Sequence, residues 1–462
     1  MMNEPKVLVI GLDAAPPELL FDAFLDELPN IKSLVENGVY GKMKSCVPPI
    51  TIPAWMVMST SKNPGKLGIY GFRHRKNYSY TDIWIANYQK IKEKTVWNIL
   101  GEKGKRSIVV GVPPTYPPRP LNGYLLSCFI TPTSAKQYTY PPELKEEIEK
   151  VVGNYIFDVE FRTEERDKLL KGLYEMTEKR FKVIKHLLKN KKWDFFMFVE
   201  IGLDRVQHAF WKFFDPEHHL YEPHSKYGDV IKNYYKYLDQ QIEELLKIIP
   251  KNTKIVVVSD HGAKRMKGAL CINEWLIREG YLTLKKYPEQ KIRLEKAEVD
   301  WKKTIAWGWG GYYARVFLNV EGREPRGIIK PEEYEDVRDE LTEKIENIRG
   351  PNGEKLETKV IKPEEYYPEI NGEPPDLMVF FDDLYWRSAG TIGHNAIYLP
   401  ENDTGPDDAV HSQYGIHIIF DPEQNFGGKK IDIDILDVAP TILRLLEIEP
   451  PSDMEGKVVE GV

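Results

Sequence analysis

The sequence contains few cysteines, with only Cys46, Cys128 and Cys271 among 462 residues. An odd number of widely separated cysteines excludes a disulfide framework and a zinc site built from thiolates. We therefore expect three reduced cysteines with structural roles. We also expect a cytoplasmic protein, because the chain starts Met-Met-Asn-Glu-Pro and shows no basic segment followed by the apolar segment of a secretory signal.

Long apolar runs and an excess of one charge are also missing. The longest apolar runs, such as residues 195–199, fall far short of the roughly 20 residues of a membrane-spanning helix. We therefore expect no membrane span. The 64 basic and 71 acidic residues are interspersed and give a net charge of −7, so we expect no nucleic-acid partner. Nothing in the sequence indicates an oligomeric state.

The sequence does contain several short apolar runs that end in aspartate. Residues 6–12 lead to Asp13, residues 194–203 lead to Asp204, and residues 253–259 lead to Asp260. Continuous apolar runs of this length are typical of parallel strands that are buried on both faces. Ligands of open α/β sheets bind beyond the carboxyl ends of the strands, so we expect the three aspartates to converge on one site.

Helical patterns alternate with these strands, as at residues 163–189 and 230–249. The alternation predicts an α/β fold with a doubly wound, mostly parallel sheet and helices on both faces. Residues 112–142 are dense in proline, threonine and tyrosine, and we predict an irregular loop there.

The pattern changes in the second half of the chain, where an aromatic, glycine-rich stretch precedes a charged helical pattern. We predict that residues 286–371 form a small α/β subdomain or edge elaboration. Residues 1–285 and 372–462 are then predicted to form the core, to which a strand at residues 376–381 returns.

Two short motifs add histidines to the predicted site. In Asp204-Arg-Val-Gln-His208 a carboxylate and an imidazole stand at positions i and i+4, on one face if a helix begins there. In Asp260-His261-Gly262 the glycine permits a sharp turn that aims two adjacent side chains at one centre. With Asp13 and a later histidine, these residues suit two metal ions. Mixed imidazole and carboxylate ligands favour zinc, with manganese as the alternative.

The segment Pro48-Pro-Ile-Thr51-Ile-Pro-Ala-Trp55 points to a known family. It resembles the nucleophile region of the alkaline phosphatase superfamily, in its type I phosphodiesterase/nucleotide pyrophosphatase branch. The order of the site residues along the chain is also similar to that of the family, with Asp13 first, then Thr51, then Asp204 with His208, then Asp260 with His261, and His411 last. The resemblance implies that Thr51 is the nucleophile. It further implies two sets of metal ligands, which are Asp13, Thr51, Asp260 and His261 for the nucleophile-side ion and Asp204, His208 and His411 for the other.

Some positions depart from the family pattern. Ala54 stands where the pyrophosphatases usually carry an asparagine that contacts a phosphate oxygen, and Ser61 and Leu67 replace a glycine and a histidine. The pattern is closer to the predicted phosphohydrolase/phosphomutase relatives of the branch. The identity of the substrate is therefore not implied by the resemblance.

The resemblance implies an alkaline-phosphatase-like core and a phosphohydrolase that cleaves phosphodiester or pyrophosphate bonds of a small phosphorylated substrate through a phosphothreonine. Two alternatives stay open, namely a phosphomutase and a catalytically silent, metal-stabilised binding protein. A sulfatase is disfavoured, because Ile50 in Cys46-Val-Pro-Pro-Ile50 occupies the position of a required arginine.

Several other residues allow two interpretations. Arg73-His74-Arg75 either meets a substrate phosphate or forms a surface charge cluster, and the aromatics of Trp307-Gly-Trp-Gly-Gly-Tyr-Tyr313 either stack on a ligand or pack internally. The histidines at positions 218, 219 and 224 are predicted to lie in a solvated loop rather than a metal site.

Overall fold

The computed structural model describes residues 4–462, which form one large sheet, four small sheets and the helices around them. In chain order the strands are β1 (Lys6–Leu12), β2 (Val39–Lys44), β3 (Arg73–Arg75), β4 (Ile83–Ile85), β5 (Ser107–Val110), β6 (Gly123–Leu126), β7 (Thr139–Tyr140), β8 (Phe195–Glu200), β9 (Thr253–Val258), β10 (Gly262–Arg265), β11 (Gly268–Cys271), β12 (Ala306–Trp309), β13 (Ala314–Leu318), β14 (Lys359–Ile361), β15 (Leu377–Phe380), β16 (Trp386–Ala389), β17 (Tyr398–Leu399), β18 (Ala409–Ser412), β19 (Tyr414–Phe420), β20 (Lys429–Lys430) and β21 (Ile433–Asp434). The α-helices are α1 (Pro29–Asn37), α2 (Thr51–Thr60), α3 (Pro64–Leu67), α4 (Val96–Glu102), α5 (Leu144–Val152), α6 (Arg166–Asn190), α7 (Gly202–Phe214), α8 (Val230–Ile248), α9 (Ile272–Arg278), α10 (Tyr334–Glu346), α11 (Pro363–Tyr366) and α12 (Val438–Leu445).

The large sheet has the strand order β20-β2-β19-β9-β1-β8-β5-β6-β7, with β21 also paired to β2. Its centre, from β9 to β6, is parallel throughout, whereas β19 and β7 run antiparallel to their neighbours. This arrangement confirms the predicted doubly wound, mostly parallel sheet.

Helices cover both faces of the large sheet because its central strands are apolar on both sides. In β1, Leu8 and Ile10 pack into one core cluster with residues of α1, α6, α7 and α8. The alternate residues Val7 and Val9 pack into a second cluster with residues of α2, α4 and α12. The period of two along the strand therefore divides one run of apolar residues between two helical layers.

The strand predicted at residues 376–381 does not return to the large sheet, so that prediction was wrong. β15 pairs with β13 and β14 in a four-stranded antiparallel sheet that also contains β12. Its residues Leu377 and Val379 pack in a separate core cluster with residues of α9 and α10. A short apolar run does not indicate which sheet it joins. The division of the chain at residues 286 and 371 stays a prediction, and the four-stranded sheet also takes a strand from beyond residue 371.

The segment 112–142 is less irregular than predicted. β6 and β7 extend the large sheet at its edge, with β6 parallel to β5 and β7 antiparallel to β6. These strands have four and two residues, too short for an alternation to stand out between the surrounding prolines. Within residues 4–462 no helix combines the length and the apolar character that crossing a membrane requires.

Candidate active site

Three aspartates lie beyond adjacent strands at the carboxyl edge of the large sheet. Asp13 follows β1 directly, Asp260 lies two residues after β9, and Asp204 lies in the first turn of α7, just after β8. Because β8, β1 and β9 are parallel neighbours, their ends meet at one edge. All three carboxylates are at most 1% exposed, and the structure brings them together as the sequence predicted.

Thr51 reaches this site from the first residue of α2. All ten residues of this helix are buried, so the helix is fixed from every side. Thr51 Oγ1 lies 3.2 Å from His261 Nε2. One turn further along the helix, Trp55 Nε1 donates a hydrogen bond to Asp13 Oδ2 at 2.7 Å. The same face of α2 therefore presents the hydroxyl and fixes one carboxylate.

His411 arrives through the pairing of two short strands. β18 runs antiparallel to β10, with His411 opposite Ala263, and the rings of His411 and His261 stack with their centroids 3.8 Å apart. Gly262 makes this pairing possible by its small size rather than by a left-handed turn. A Cβ atom there would lie 2.3 Å from Ser412 Oγ and from the Tyr414 carbonyl oxygen.

Both stacked histidines direct Nε2 toward the carboxylates. The Nδ1 of His261 donates to the Gly262 carbonyl at 2.9 Å, and the Nδ1 of His411 donates to the Pro49 carbonyl at 2.8 Å. Burial lowers the pKa of His261 to about 4 and the pKa of His411 well below its usual value. Both rings are therefore neutral near pH 7 and offer an Nε2 lone pair, as metal-ligating histidines do.

We call Asp13, Thr51, Asp260 and His261 the Asp260 half of the site. The ligand atoms of its aspartates and histidine lie within 4.8 Å of one another. Asp13 Oδ1 and Asp260 Oδ2 are buried without a hydrogen-bond partner among residues 4–462. Burial, followed by repulsion from Asp13, raises the pKa of Asp260, and burial with repulsion from Asp204 raises that of Asp13. Unpartnered carboxylate oxygens beside a neutral imidazole fit a divalent cation.

We call Asp204, His208 and His411 the Asp204 half. The ligand atoms of Asp204, His261 and His411 lie within 4.8 Å of one another, and His208 Nε2 lies 3.2 Å from Asp204 Oδ1. This half carries its own positive charge, because Arg205 donates to Asp204 Oδ2 at 2.7 Å. Burial raises the pKa of Asp204, but His208 and then Arg205 outweigh it and hold that pKa well below its usual value. The donor set still fits a second cation, since Asp204 Oδ1 and His208 Nε2 have no hydrogen-bond partner among the described residues.

Sequence reasoning missed Asp407, which orients His208. Asp407 Oδ1 lies 2.7 Å from His208 Nδ1, and its other oxygen accepts from Arg162 and from the Tyr312 hydroxyl, each at 3.1 Å. The one signal in the sequence is an acidic residue shortly before His411. Nothing in the sequence shows that it faces α7.

Two of the open interpretations are now resolved. Tyr312 packs within the site, because its ring stacks on His411 with centroids 4.0 Å apart, and it also lines a cavity there. Of the three histidines at positions 218–224, His218 is buried and its Nε2 donates to the Asp408 carbonyl at 2.9 Å, so the prediction of a solvated loop was wrong for this residue. None of the three belongs to a ligand cluster among residues 4–462.

Solved structures of ectonucleotide pyrophosphatase/phosphodiesterase 5 share this fold. The human protein aligns with a TM-score of 0.57 and 14% identity, covering 96% of this chain and 96% of that chain. The murine protein, solved as an inactive variant in complex with AMP, aligns with a TM-score of 0.56 and 14% identity over 97% and 96% of the two chains. The chain therefore has the same α/β fold as these structures.

The family model of type I phosphodiesterase/nucleotide pyrophosphatase matches residues 7–407. The chain belongs to this family, and it is therefore a phosphohydrolase of the phosphodiesterase/pyrophosphatase type. A comparison with curated proteins gives no match.

Proposed function

We propose that this protein is a two-metal-dependent phosphohydrolase that cleaves phosphodiester or pyrophosphate bonds through a phosphothreonine on Thr51. The supporting observation is the position of the Thr51 hydroxyl, 3.2 Å from His261 Nε2 at the end of a wholly buried helix. In this proposal the Asp260 half holds one cation and the Asp204 half holds the other. The carboxylate and imidazole donors favour zinc, with manganese as the alternative.

Bound divalent cations would lower the pKa of the threonine hydroxyl and neutralise charge on the phosphoryl oxygens. The chain's own contribution starts with Thr51 Oγ1, which loses its proton to solvent and attacks phosphorus while the bond from phosphorus to the leaving oxygen breaks. The leaving group takes up a proton from solvent and departs. The amino end of α2 carries the partial positive charge of the helix dipole beside Thr51, which favours the negative charge of the phosphoryl group. Water then cleaves the phosphothreonine, which releases the phosphoryl product and restores the hydroxyl.

A cavity of about 400 Å³ gives access to Thr51. Thr51, Asp204 and His411 lie on its wall, together with the aromatic side chains of Phe72 and Phe129. The polar wall suits the reacting phosphoryl group, and the aromatic wall suits an organic group esterified to it. The AMP bound to the murine structure supports a nucleotide ester as one such substrate.

The test measures metal content and hydrolysis together. The protein is stripped with EDTA, reloaded with zinc or manganese, and assayed with bis-p-nitrophenyl phosphate and p-nitrophenyl phosphate. We expect about two bound cations, a preference for the diester, and loss of turnover by at least about a thousandfold in Thr51→Ala. Thr60→Ala is the matched control, because Thr60 lies on the same helix and its hydroxyl bonds two backbone groups, the Met56 carbonyl and the Lys62 amide.

Three results would contradict the proposal in different ways. Full activity of Thr51→Ala excludes the covalent step, and the absence of bound metal excludes the two-metal site. An isomerised phosphate ester as the product, in place of a released alcohol or phosphate, identifies a phosphomutase.

A further inference from the structure

A second cavity of about 280 Å³ adjoins the one that leads to Thr51. The two cavities share six wall residues, which are Arg73, Arg162, Gly310, Gly311, Arg315 and Arg387. Arg293 adds a fifth arginine to the wall of the second cavity, whose carboxylates are Glu295 and Asp403. Five guanidinium groups against two carboxylates give this cavity a strong excess of positive charge.

Pairing within the protein accounts for only part of this charge. Arg162 forms an ion pair with Asp407 at 3.1 Å. Asp403 is occupied elsewhere, because its Oδ2 accepts hydrogen bonds from the Thr391 amide at 3.2 Å and from the Thr391 hydroxyl at 2.7 Å. Glu295 is exposed to solvent. Arg387 only shares Asp407 with Arg162, at 3.6 Å. Among residues 4–462, Arg73, Arg293 and Arg315 have no carboxylate oxygen within 4.0 Å, so their charge in the cavity wall is not neutralised.

Arg387 is the best indication that the cavity is built for a ligand. Arg387 is only 7% exposed, and its Nε and Nη1 atoms are buried without a hydrogen-bond partner among residues 4–462. The closest carboxylate oxygen to Nη1 is Asp407 Oδ2 at 3.6 Å, which already accepts from Arg162 and Tyr312. Buried, unpaired donors on a charged group are costly unless an acceptor from a ligand meets them.

The glycines of the aromatic stretch shape the cavity wall. Gly310 packs directly on Gly390, and a Cβ atom on Gly310 would lie 2.4 Å from the Gly390 nitrogen. Gly311, with φ of 151°, forms an isolated bridge with Ser388. Backbone rather than side chains therefore forms this part of the wall, which leaves room for a bound group beside Arg387.

Tyr312 connects this cavity to the candidate metal centre. The Arg387 guanidinium lies over the Tyr312 ring, 4.4 Å from its centroid, and the other stacking partner of that ring is His411. Only the ring of Tyr312 therefore separates a group bound at Arg387 from His411 of the Asp204 half.

We propose that the arginine cavity binds a second anionic group of the substrate, a phosphate or a carboxylate, distinct from the phosphoryl group that Thr51 attacks. The planar guanidinium group of arginine can donate two parallel hydrogen bonds to either kind of oxyanion. This inference rests on the proposed function and narrows it. The substrate class becomes phosphodiesters or pyrophosphates that carry an additional anionic group.

A binding experiment tests the cavity without relying on catalysis. Inorganic phosphate and succinate are titrated calorimetrically into the EDTA-treated protein at low ionic strength. We expect the double substitution Arg293→Gln/Arg315→Gln to weaken binding by at least about tenfold. Arg278→Gln, at an exposed arginine on α9, is the matched control and should bind like the wild type. Arg293 is also exposed, so the single variant Arg293→Gln keeps the test valid if the double variant misfolds.

The probes also separate the two kinds of anion. Tighter binding of inorganic phosphate assigns the cavity to a phosphate, and tighter binding of succinate assigns it to a carboxylate. Equal affinity of the wild type and the double variant for both probes would overturn the proposal.

A kinetic experiment on the metal-loaded enzyme completes the test. Thymidine 5′-(p-nitrophenyl phosphate) is compared with the same compound bearing a 3′-phosphate. We expect the wild type and Arg278→Gln to prefer the second compound in kcat/KM, and the double variant to lose this preference. A preference that the double variant retains would overturn the assignment. If neither compound is hydrolysed, the proposed function fails for these diesters, and the calorimetric result alone decides on the cavity.

Discussion

The two halves of the candidate metal centre are equally buried, but their charges are balanced differently. In the Asp260 half, the only hydrogen bonds that residues 4–462 donate to the carboxylates of Asp13 and Asp260 come from Trp55 Nε1 and the Ala14 amide, and the pKa of each carboxylate is raised. In the Asp204 half, Arg205 and His208 hold the pKa of Asp204 low. Arg205 and His208 therefore balance the charge of the Asp204 half, whereas no cationic side chain bonds Asp13 or Asp260 among residues 4–462, as fits the cation that we propose for the Asp260 half.

The largest expected effect is on the stability of the metal-free protein. Asp204→Asn should lower the free energy of unfolding of the metal-free protein by at most about 3 kcal/mol, because Arg205 and His208 each lose one of their two carboxylate partners and keep Asp158 and Asp407, respectively. Asp260→Asn should raise it, because the substitution removes a buried charge that repels Asp13. Urea denaturation at pH 8 in EDTA measures both. If both variants lose stability to the same extent, the two halves do not differ in charge balance.

A smaller effect is expected when the support of His208 is weakened. Asp407→Asn should lower kcat/KM for the diester by roughly 10- to 100-fold, because His208 loses the carboxylate that orients its ring. Asp408→Asn is the matched control, since the neighbouring Asp408 side chain has no hydrogen bond to a site residue. Equal activity of the two variants would show that the Asp204 half does not need this support.

The smallest effect is the change in stability over a single pH unit, and it is confined to the Asp260 half. The pKa of Asp260 is higher in the folded protein than its unfolded value of about 3.9, so the folded, metal-free protein loses stability as the pH rises through the folded pKa. The stability of Asp260→Asn relative to the wild type should therefore grow with pH, by at most about 1.4 kcal/mol per pH unit. Denaturation in EDTA between pH 4 and 9 measures this difference. If the difference in stability between Asp260→Asn and the wild type does not change with pH, Asp260 does not carry an uncompensated charge in the folded protein.

The sequence was sufficient for the centre of the fold and for the convergence of the aspartates. Apolar runs that end in Asp13, Asp204 and Asp260 indicate buried parallel strands, and the carboxyl ends of neighbouring parallel strands lie at one edge of a sheet. It was not sufficient for contacts between distant segments. Asp407 and Tyr312 reach His208 and His411 through pairings such as β10 with β18, which leave no local pattern in the sequence.

The second sheet shows the same limit. β15 is a buried apolar run like the strands of the large sheet, and only its partners β13 and β14 distinguish it. The glycines at positions 310 and 390 also could not be interpreted from sequence, because each is required by close contact with the other.

The late position of β18 and β19 gives the molecule an order of assembly during synthesis. All four members of the Asp260 half precede residue 262, so the ribosome delivers that half first. The Asp204 half stays incomplete until His411 has been made. β19, which lies between β9 and β2 in the large sheet, follows directly. His411 and β19, which joins β9 to β2, are therefore synthesised almost together. The Asp260 half is translated well before the Asp204 half is complete.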